Sequence, residues 1–355
     1  GPRRDGRSDE TGLLDRWPEG GPPVLWAATG LGRGYSSPII VGERIYITGE
    51  VGDALRIFAL DLGGKPVWES SNGRAWKGPY PGARASCTYD GGRIYHRNAH
   101  GRVACLDAST GREVWALDVL DSFQGKGITW GIAECLVVDG DRVFVTAGGR
   151  KGLVCALDKL SGDILWASEP LRDRDGGEAA ESASYASPLL CELRGRRLLI
   201  GSALRHHFVV DADSGRVLHV EPLPTAHSVI AMVPVAIGDA YFLTAPDTDS
   251  GGLFRFLGDA RDVRVERAWS TQLDTCHGGA VVVGDRIVGS WYRRAKGWAC
   301  IDAASGKVLY ESPDPAMGAV LWADGRLYCA SQEGEIVLLE AGTSSFAPRG
   351  RFRIV

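Results

Sequence analysis

The chain has 355 residues, 44% of them hydrophobic and 24% charged, the balance of an ordinary globular protein. Lys and Arg number 40 against 44 Asp and Glu, so a formal charge of −4 gives no net drive toward nucleic acid or anionic lipid. No run of about 18 apolar residues is present to span a membrane as a helix.

Against this background 48 Gly and 11 Trp stand out beside 2 Met, which points to many tight turns and a recurring Trp position. Residues 1–21 are polar and rich in Gly, Pro, Arg and Asp. They are expected to form an irregular arm ahead of one domain over 22–355. Pro23-Val24-Leu25-Trp26 matches the last strand of a repeat unit. Ile39-Ile40-Val41 and Arg44-Ile45-Tyr46-Ile47, joined through Gly42, then read as a hairpin. Leu136 to Val145 and Val281 to Val288 repeat that grammar.

One phrase recurs along the chain: an apolar residue, Asp, a Gly three or four residues later, and an aromatic residue four after the Gly. It appears as Asp61, Gly64 and Trp68, then as Asp107, Gly111 and Trp115, then as Asp158, Gly162 and Trp166. The next copy, Asp211 and Gly215, carries His219 in the aromatic slot. A degenerate copy ends at Trp269, and Asp302 and Gly306 lead to Tyr310. The slots recur every 40 to 50 residues, roughly. Gly supplies a turn with positive φ, Asp accepts from that turn's backbone, and Trp fills the space between adjacent small sheets. No amphipathic helix is expected. Seven units of four antiparallel strands describe a β-propeller.

In such a fold the loops between second and third strands, and those between blades, share one face. Six of the seven His fall there, together with Arg84, Arg97, Lys126, Trp130, Arg150, Lys151, Tyr185, Arg205, Trp291, Arg293 and Arg294. His277, His227 and Arg84 are the candidates for chemistry at the mouth of the central channel. Trp130, Tyr185, Lys126, Arg205, His206 and Arg293 are the candidates for ligand contacts. Asp274, Cys276 and His277 are closely spaced metal-ligand types, although neighbours in an extended strand point to opposite faces. That leaves His277 and Asp274 as weak metal candidates and no metal as the expectation. A charged insertion around residues 172–182 reads as a solvated loop. Of the eight Cys, Cys105, Cys155 and Cys300 share one slot before the repeat Asp and Cys87, Cys135 and Cys191 lie in first strands, so most read as small buried fillers rather than disulfides. No nucleophile elbow, zinc-protease helix or phosphate loop is present.

These repeats resemble those of the pyrroloquinoline-quinone-like (PQQ-like) propeller superfamily, which includes bacterial quinoprotein dehydrogenases and the propeller lipoprotein of outer-membrane protein assembly. The likeness of the repeats runs from Val24 onward. In addition, Gly1-Pro2-Arg3-Arg4-Asp5-Gly6, Thr11-Gly12-Leu13-Leu14, Trp17-Pro18-Glu19-Gly20-Gly21-Pro22, Gly34-Tyr35-Ser36-Ser37 and His277-Gly278-Gly279 are similar to a group of exported bacterial members without established activity. The resemblance implies an eight-bladed plan, represented here by seven complete units and an N-terminal closing strand. A closed seven-bladed ring is the alternative. It also implies a periplasmic or secreted setting. Quinone-binding members carry adjacent Cys and a calcium set that have no counterpart here, so PQQ is not expected. The leading expectation is a monomeric scaffold that binds a protein, a glycan or a small polar ligand through the top face and channel. The alternative is an enzyme acting on a sugar or another polar small molecule.

Overall fold

The computed structural model describes residues 3–172, 180–193, 195–259, 262–342 and 344–354. Most of the expected charged insertion, 173–179, lies outside the described residues. Two compact units are present. The larger comprises Leu25–Glu192 and Arg196–Val220, and the smaller comprises Gly1–Val24, Leu193–Gly195 and Glu221–Val355.

The fold is an all-β propeller of four-stranded blades. The larger unit holds blade 1 (Ile39–Val41, Arg44–Val51, Ala54–Asp61, Pro66–Arg74), blade 2 (Thr88–Asp90, Arg93–Arg97, Arg102–Asp107, Glu113–Asp118) and blade 3 (Val137–Asp139, Arg142–Gly149, Gly152–Asp158, Ile164–Ala167). It also holds most of blade 4 (Leu189–Leu193, Arg196–Ser202, His206–Asp211, Val217–Pro222). The smaller unit holds blade 5 (Val235–Ile237, Ala240–Leu243, Gly252–Gly258, Val263–Ser270), blade 6 (Ala280–Val283, Arg286–Ser290, Trp298–Asp302, Val308–Ser312) and blade 7 (Gly318–Ala323, Arg326–Ser331, Glu335–Ala341, Phe346–Arg353). In blades 2, 3 and 6 the third strand is buried on both faces and the fourth is mostly exposed, so these third strands read as apolar runs and the fourth strands as mixed ones.

The repeated phrase has a direct structural cause. Gly64, Gly111, Gly162, Gly215 and Gly306 have φ between +72° and +81°, which L side chains avoid. A Cβ added at them would lie 2.5 to 2.7 Å from the rings of Trp26, Trp68, Trp115, Trp166 and Trp269 respectively. Each Trp therefore lies flat on the turn glycine of the next blade. Asp61 Oδ1 accepts from the backbone N–H groups of Gly63 and Lys65, both at 2.9 Å. The Ser109 and Thr110 hydroxyls on Asp107 hold its pKa at about 2. Trp68, Trp115 and Trp269 donate their indole N–H to the carbonyls of Ala108, Lys159 and Ala303. In blade 3 Arg142 takes the Ala212 carbonyl, and the buried Trp166 Nε1 has no partner among the described residues.

Residues 23–26 form no strand, and none of the sheets among the described residues includes them. Trp26 nevertheless occupies the packing position of a repeat Trp, 42% exposed, on Gly64. The N-terminal strand is instead Arg7–Ser8, which pairs in parallel with Trp322 and Ala323 of blade 7. The rest of the arm follows that blade. Asp15 pairs with Arg326, and Trp17 packs against Tyr328 and Phe352. One helix, Val119–Phe123, was not expected. It is capped by Asp118, and five residues are too few to show a helical period.

In the larger unit a chain of hydrogen bonds joins the segments that enter successive blades. The backbone N–H of Ser37 donates to Ser86 Oγ, that of Ser86 to Cys135 Sγ, and that of Cys135 to Ser187 Oγ. All eight Cys are free thiols, as their slots suggested.

Candidate functional site

In the larger unit Arg84 is the centre of an aromatic cluster. Its guanidinium lies 5.8 Å from the Tyr35 ring and 5.6 Å from the Trp76 ring. Its Nη2 donates to the carbonyls of Pro79 and Tyr80 at 2.7 and 2.8 Å. Burial lowers the Arg84 pKa below the usual guanidinium value. Trp130 and Tyr185, singled out from the sequence, do come together, with ring centroids 5.8 Å apart.

Trp76 also lines an open groove of about 630 Å³, with Gly32, Arg33, Glu50, Gly52, Ala75, Lys77 and Pro81. The buried Glu50 accepts from the Trp76 backbone N–H at 2.7 Å, which fixes the start of this loop. Lys77 pairs with Asp53 at 2.6 Å. Two aromatic residues beside it stand out into solvent: Tyr35 is 61% exposed and Tyr80, next to Pro81 in the chain, 69%. Lys126 is exposed and joins neither group of contacts.

Other sequence candidates in this unit hold the fold together. His96 is fully buried, bonded through Nδ1 to Asn72 at 2.9 Å, and burial lowers its pKa to about 4. Arg97, expected on the open face, is buried against Glu134, whose carboxylate also takes the Thr146 N–H and hydroxyl. His206 donates through Nδ1 to the carboxylate of the buried Glu181 at 2.6 Å, and that carboxylate also accepts from the Arg205 backbone N–H. That contact ties the His206 loop to residue 181. The His207 and His219 rings lie 5.7 Å apart.

In the smaller unit His277, Trp291, Tyr292 and Gln332 gather with Cys276, Gly278, Ser290, Met317 and Gly318 around a space of about 10 Å³. His277 approaches Gln332 Nε2 at 2.6 Å and meets the Tyr292 ring edge-on at 5.9 Å. Protein packed on its inner side lowers its pKa, while its outer edge remains exposed. Burial raises the Cys276 thiol to about 12, so it is neutral at ordinary pH. Asp274 does not face this space as a ligand. Its carboxylate accepts three backbone N–H groups, those of Tyr292, Arg293 and Arg294, at 2.9 to 3.0 Å, and so shapes the loop. Arg293 lies over the Tyr292 ring and pairs with Asp247. His227 is exposed on a separate loop.

Sequence reasoning missed Tyr35, Trp76, Glu134, Tyr292 and Gln332. None belongs to the repeated phrase, and each reaches its partners only after blades pack.

Comparison with known proteins follows from this architecture. A family profile described as outer membrane protein assembly factor BamB matches residues 53–240, more than half of the chain. The chain belongs to this family of PQQ-like propeller repeats. The lanthanide-dependent methanol dehydrogenase of Methylacidiphilum fumariolicum is 30% identical over 154 residues, covering 40% of this chain and 24% of that protein. The outer membrane protein assembly factor BamB of Burkholderia pseudomallei is 27% identical over 156 residues, covering 44% of this chain and 33% of that protein. The matches thus span a third or less of these relatives. Among solved structures, BamB from Moraxella catarrhalis superposes with a TM-score of 0.64 at 15% identity, covering 90% of this chain and 88% of that one. A europium-containing methanol dehydrogenase gives 0.52 at 13% identity, covering 99% and 84%. At such identities these likenesses concern the fold alone. Among the described residues no helix is long and apolar enough to cross a membrane.

Proposed function

We propose that this propeller is an exported, periplasmic binding scaffold and that the groove of the larger unit takes a segment of a partner protein. The observation that carries the reading is the composition of that groove. Trp76 and Pro81 give it an apolar floor, Arg33, Lys77 and Glu50 give it charges of both signs, and exposed Tyr35 and Tyr80 stand beside it. Aromatic anchors among mixed charges are the usual make-up of a protein-binding patch. A groove as open as this suits a polymer lying across it better than a small molecule buried within it. The assembly-factor name of the BamB relatives supports the same reading, and their setting supports the periplasmic one.

The enzyme alternative places chemistry at His277, His227 and Arg84. Arg84 belongs to the larger unit and the two His to the smaller, and among the described residues no carboxylate lines the space beside His277.

Photo-cross-linking in the host cell tests the scaffold reading. A benzophenone amino acid replaces Tyr80 in one variant and Leu160, an exposed turn residue of blade 3, in another. The expected result is a discrete adduct from position 80 that disappears on Trp76→Ala and is missing at position 160. Equal adducts at both positions, or none at position 80, would overturn it.

A further inference from the structure

The small space at His277 carries a second inference, independent of the groove. His277 lies in the segment entering blade 6, Trp291 and Tyr292 follow that blade's second strand, and Gln332 follows the second strand of blade 7. The Gln332 backbone N–H donates to the Met317 carbonyl at 3.1 Å, which sets its side chain opposite His277. The space of about 10 Å³ opens to solvent beside the exposed His277 and Gln332 and has room for one water-sized group.

Trp291 is only 6% exposed, and its indole N–H has no hydrogen-bond partner among the described residues. A buried donor without an acceptor is costly, so such a group points to an occupant that supplies one. The His277–Gln332 contact adds a second requirement. If the amide N–H donates to Nε2, the imidazole Nδ1–H is left as a donor and the amide oxygen as an acceptor. If the amide is turned, Nε2–H donates to the amide oxygen, Nδ1 is left as an acceptor, and the amide NH₂ is the donor. Either way the pair keeps both donor and acceptor capacity, and Trp291, whose N–H needs an acceptor, lines the same space.

A hydroxyl group matches that set, because it donates and accepts at once. A carboxylate or carbonyl only accepts. The charge around the notch is also balanced: Arg293 is engaged by Asp247, Asp274 by the backbone, and Cys276 is a neutral thiol. An uncharged ligand meets no unpaired charge here. From this geometry we infer that the notch formed by His277, Trp291 and Gln332 binds one hydroxyl group of a polyhydroxylated, uncharged ligand, a carbohydrate.

The test follows the indole N–H resonances of the ¹⁵N-labelled full chain during titration with D-glucose, D-mannose and D-galactose. Acetate serves as the acceptor-only control. Trp291→Phe identifies the Trp291 resonance. Should that variant fail to fold, Gln332→Ala at an exposed position identifies it by its displacement. The expected result is a saturable shift of this resonance with at least one hexose, none with acetate, and roughly tenfold weaker binding in Gln332→Ala. No shift with any of the three sugars, an equal shift with acetate, or unchanged affinity in Gln332→Ala would each overturn the inference. Failure of the Tyr80 cross-link would leave it standing.

Discussion

The contact between a repeat Trp and the next turn glycine makes a prediction that a double-mutant cycle can test. Trp115 is buried among the side chains of blades 2 and 3, donates to the Lys159 carbonyl at 3.0 Å, and covers Gly162. Trp115→Ala removes that filler and should cost about 3–5 kcal/mol through the cavity it leaves. Gly162→Ala alone combines two penalties. Its φ of +81° costs an L residue about 1–2 kcal/mol. Its Cβ would also come within 2.7 Å of the Trp115 ring, an overpacking cost of about 1–3 kcal/mol. In the Trp115→Ala background the second penalty vanishes and the first remains. The two substitutions should therefore be non-additive by about 1–3 kcal/mol, with the double variant more stable than the sum of the singles. Urea unfolding of the four proteins, followed by circular dichroism, measures it. Strict additivity, or an unfolding midpoint unmoved by Trp115→Ala, would refute the packing explanation of the repeat.

His96 should make stability depend on pH. Its folded pKa is near 4 and its unfolded value near 6.5, so the unfolded chain binds the extra proton between these values. The His96 contribution is complete above about pH 6.5 and falls away toward pH 4, by roughly 3 kcal/mol in all. His96→Gln should flatten that part of a stability–pH curve. Glu134→Gln leaves the Arg97 guanidinium buried without its counter-charge and should cost about 3–5 kcal/mol, visible as a lower thermal midpoint. The pair Arg97→Met with Glu134→Gln should recover part of that loss. Asp274→Ala removes the acceptor of three loop N–H groups. Hydrogen exchange of the Tyr292, Arg293 and Arg294 amides should then quicken, while strand amides of blade 6 keep their protection.

Much of the fold was legible because one physical contact is repeated. Asp107, Gly111 and Trp115 sit at a fixed spacing since the acceptor, the positive-φ turn and the ring that covers the next blade must keep that spacing. Where the contact changes, the signal fades, as at His219, and Trp26 keeps the packing on Gly64 without forming a strand. The candidate sites were legible only as a loop population. Loop position put His277, Trp291 and Arg84 correctly outside the strands. It could not separate His96 and Arg97, which close buried polar networks, from residues that meet solvent. Gln332 lies 55 positions from His277, and Trp76 eight from Arg84. Neither separation has a meaning in sequence until the blades are packed.

The N-terminal arm has a consequence for the timing of folding. Arg7 finds its strand partner in Trp322, more than 300 residues later, and Trp17 finds Phe352. At synthesis rates of about 5–20 residues per second, the arm waits on the order of tens of seconds for blade 7 to emerge. Blades 1 to 3 of the larger unit depend on neighbours nearby in the chain and are free to pack during that interval. The arm of the smaller unit is thus made before blade 1 and finds its place only after blade 7.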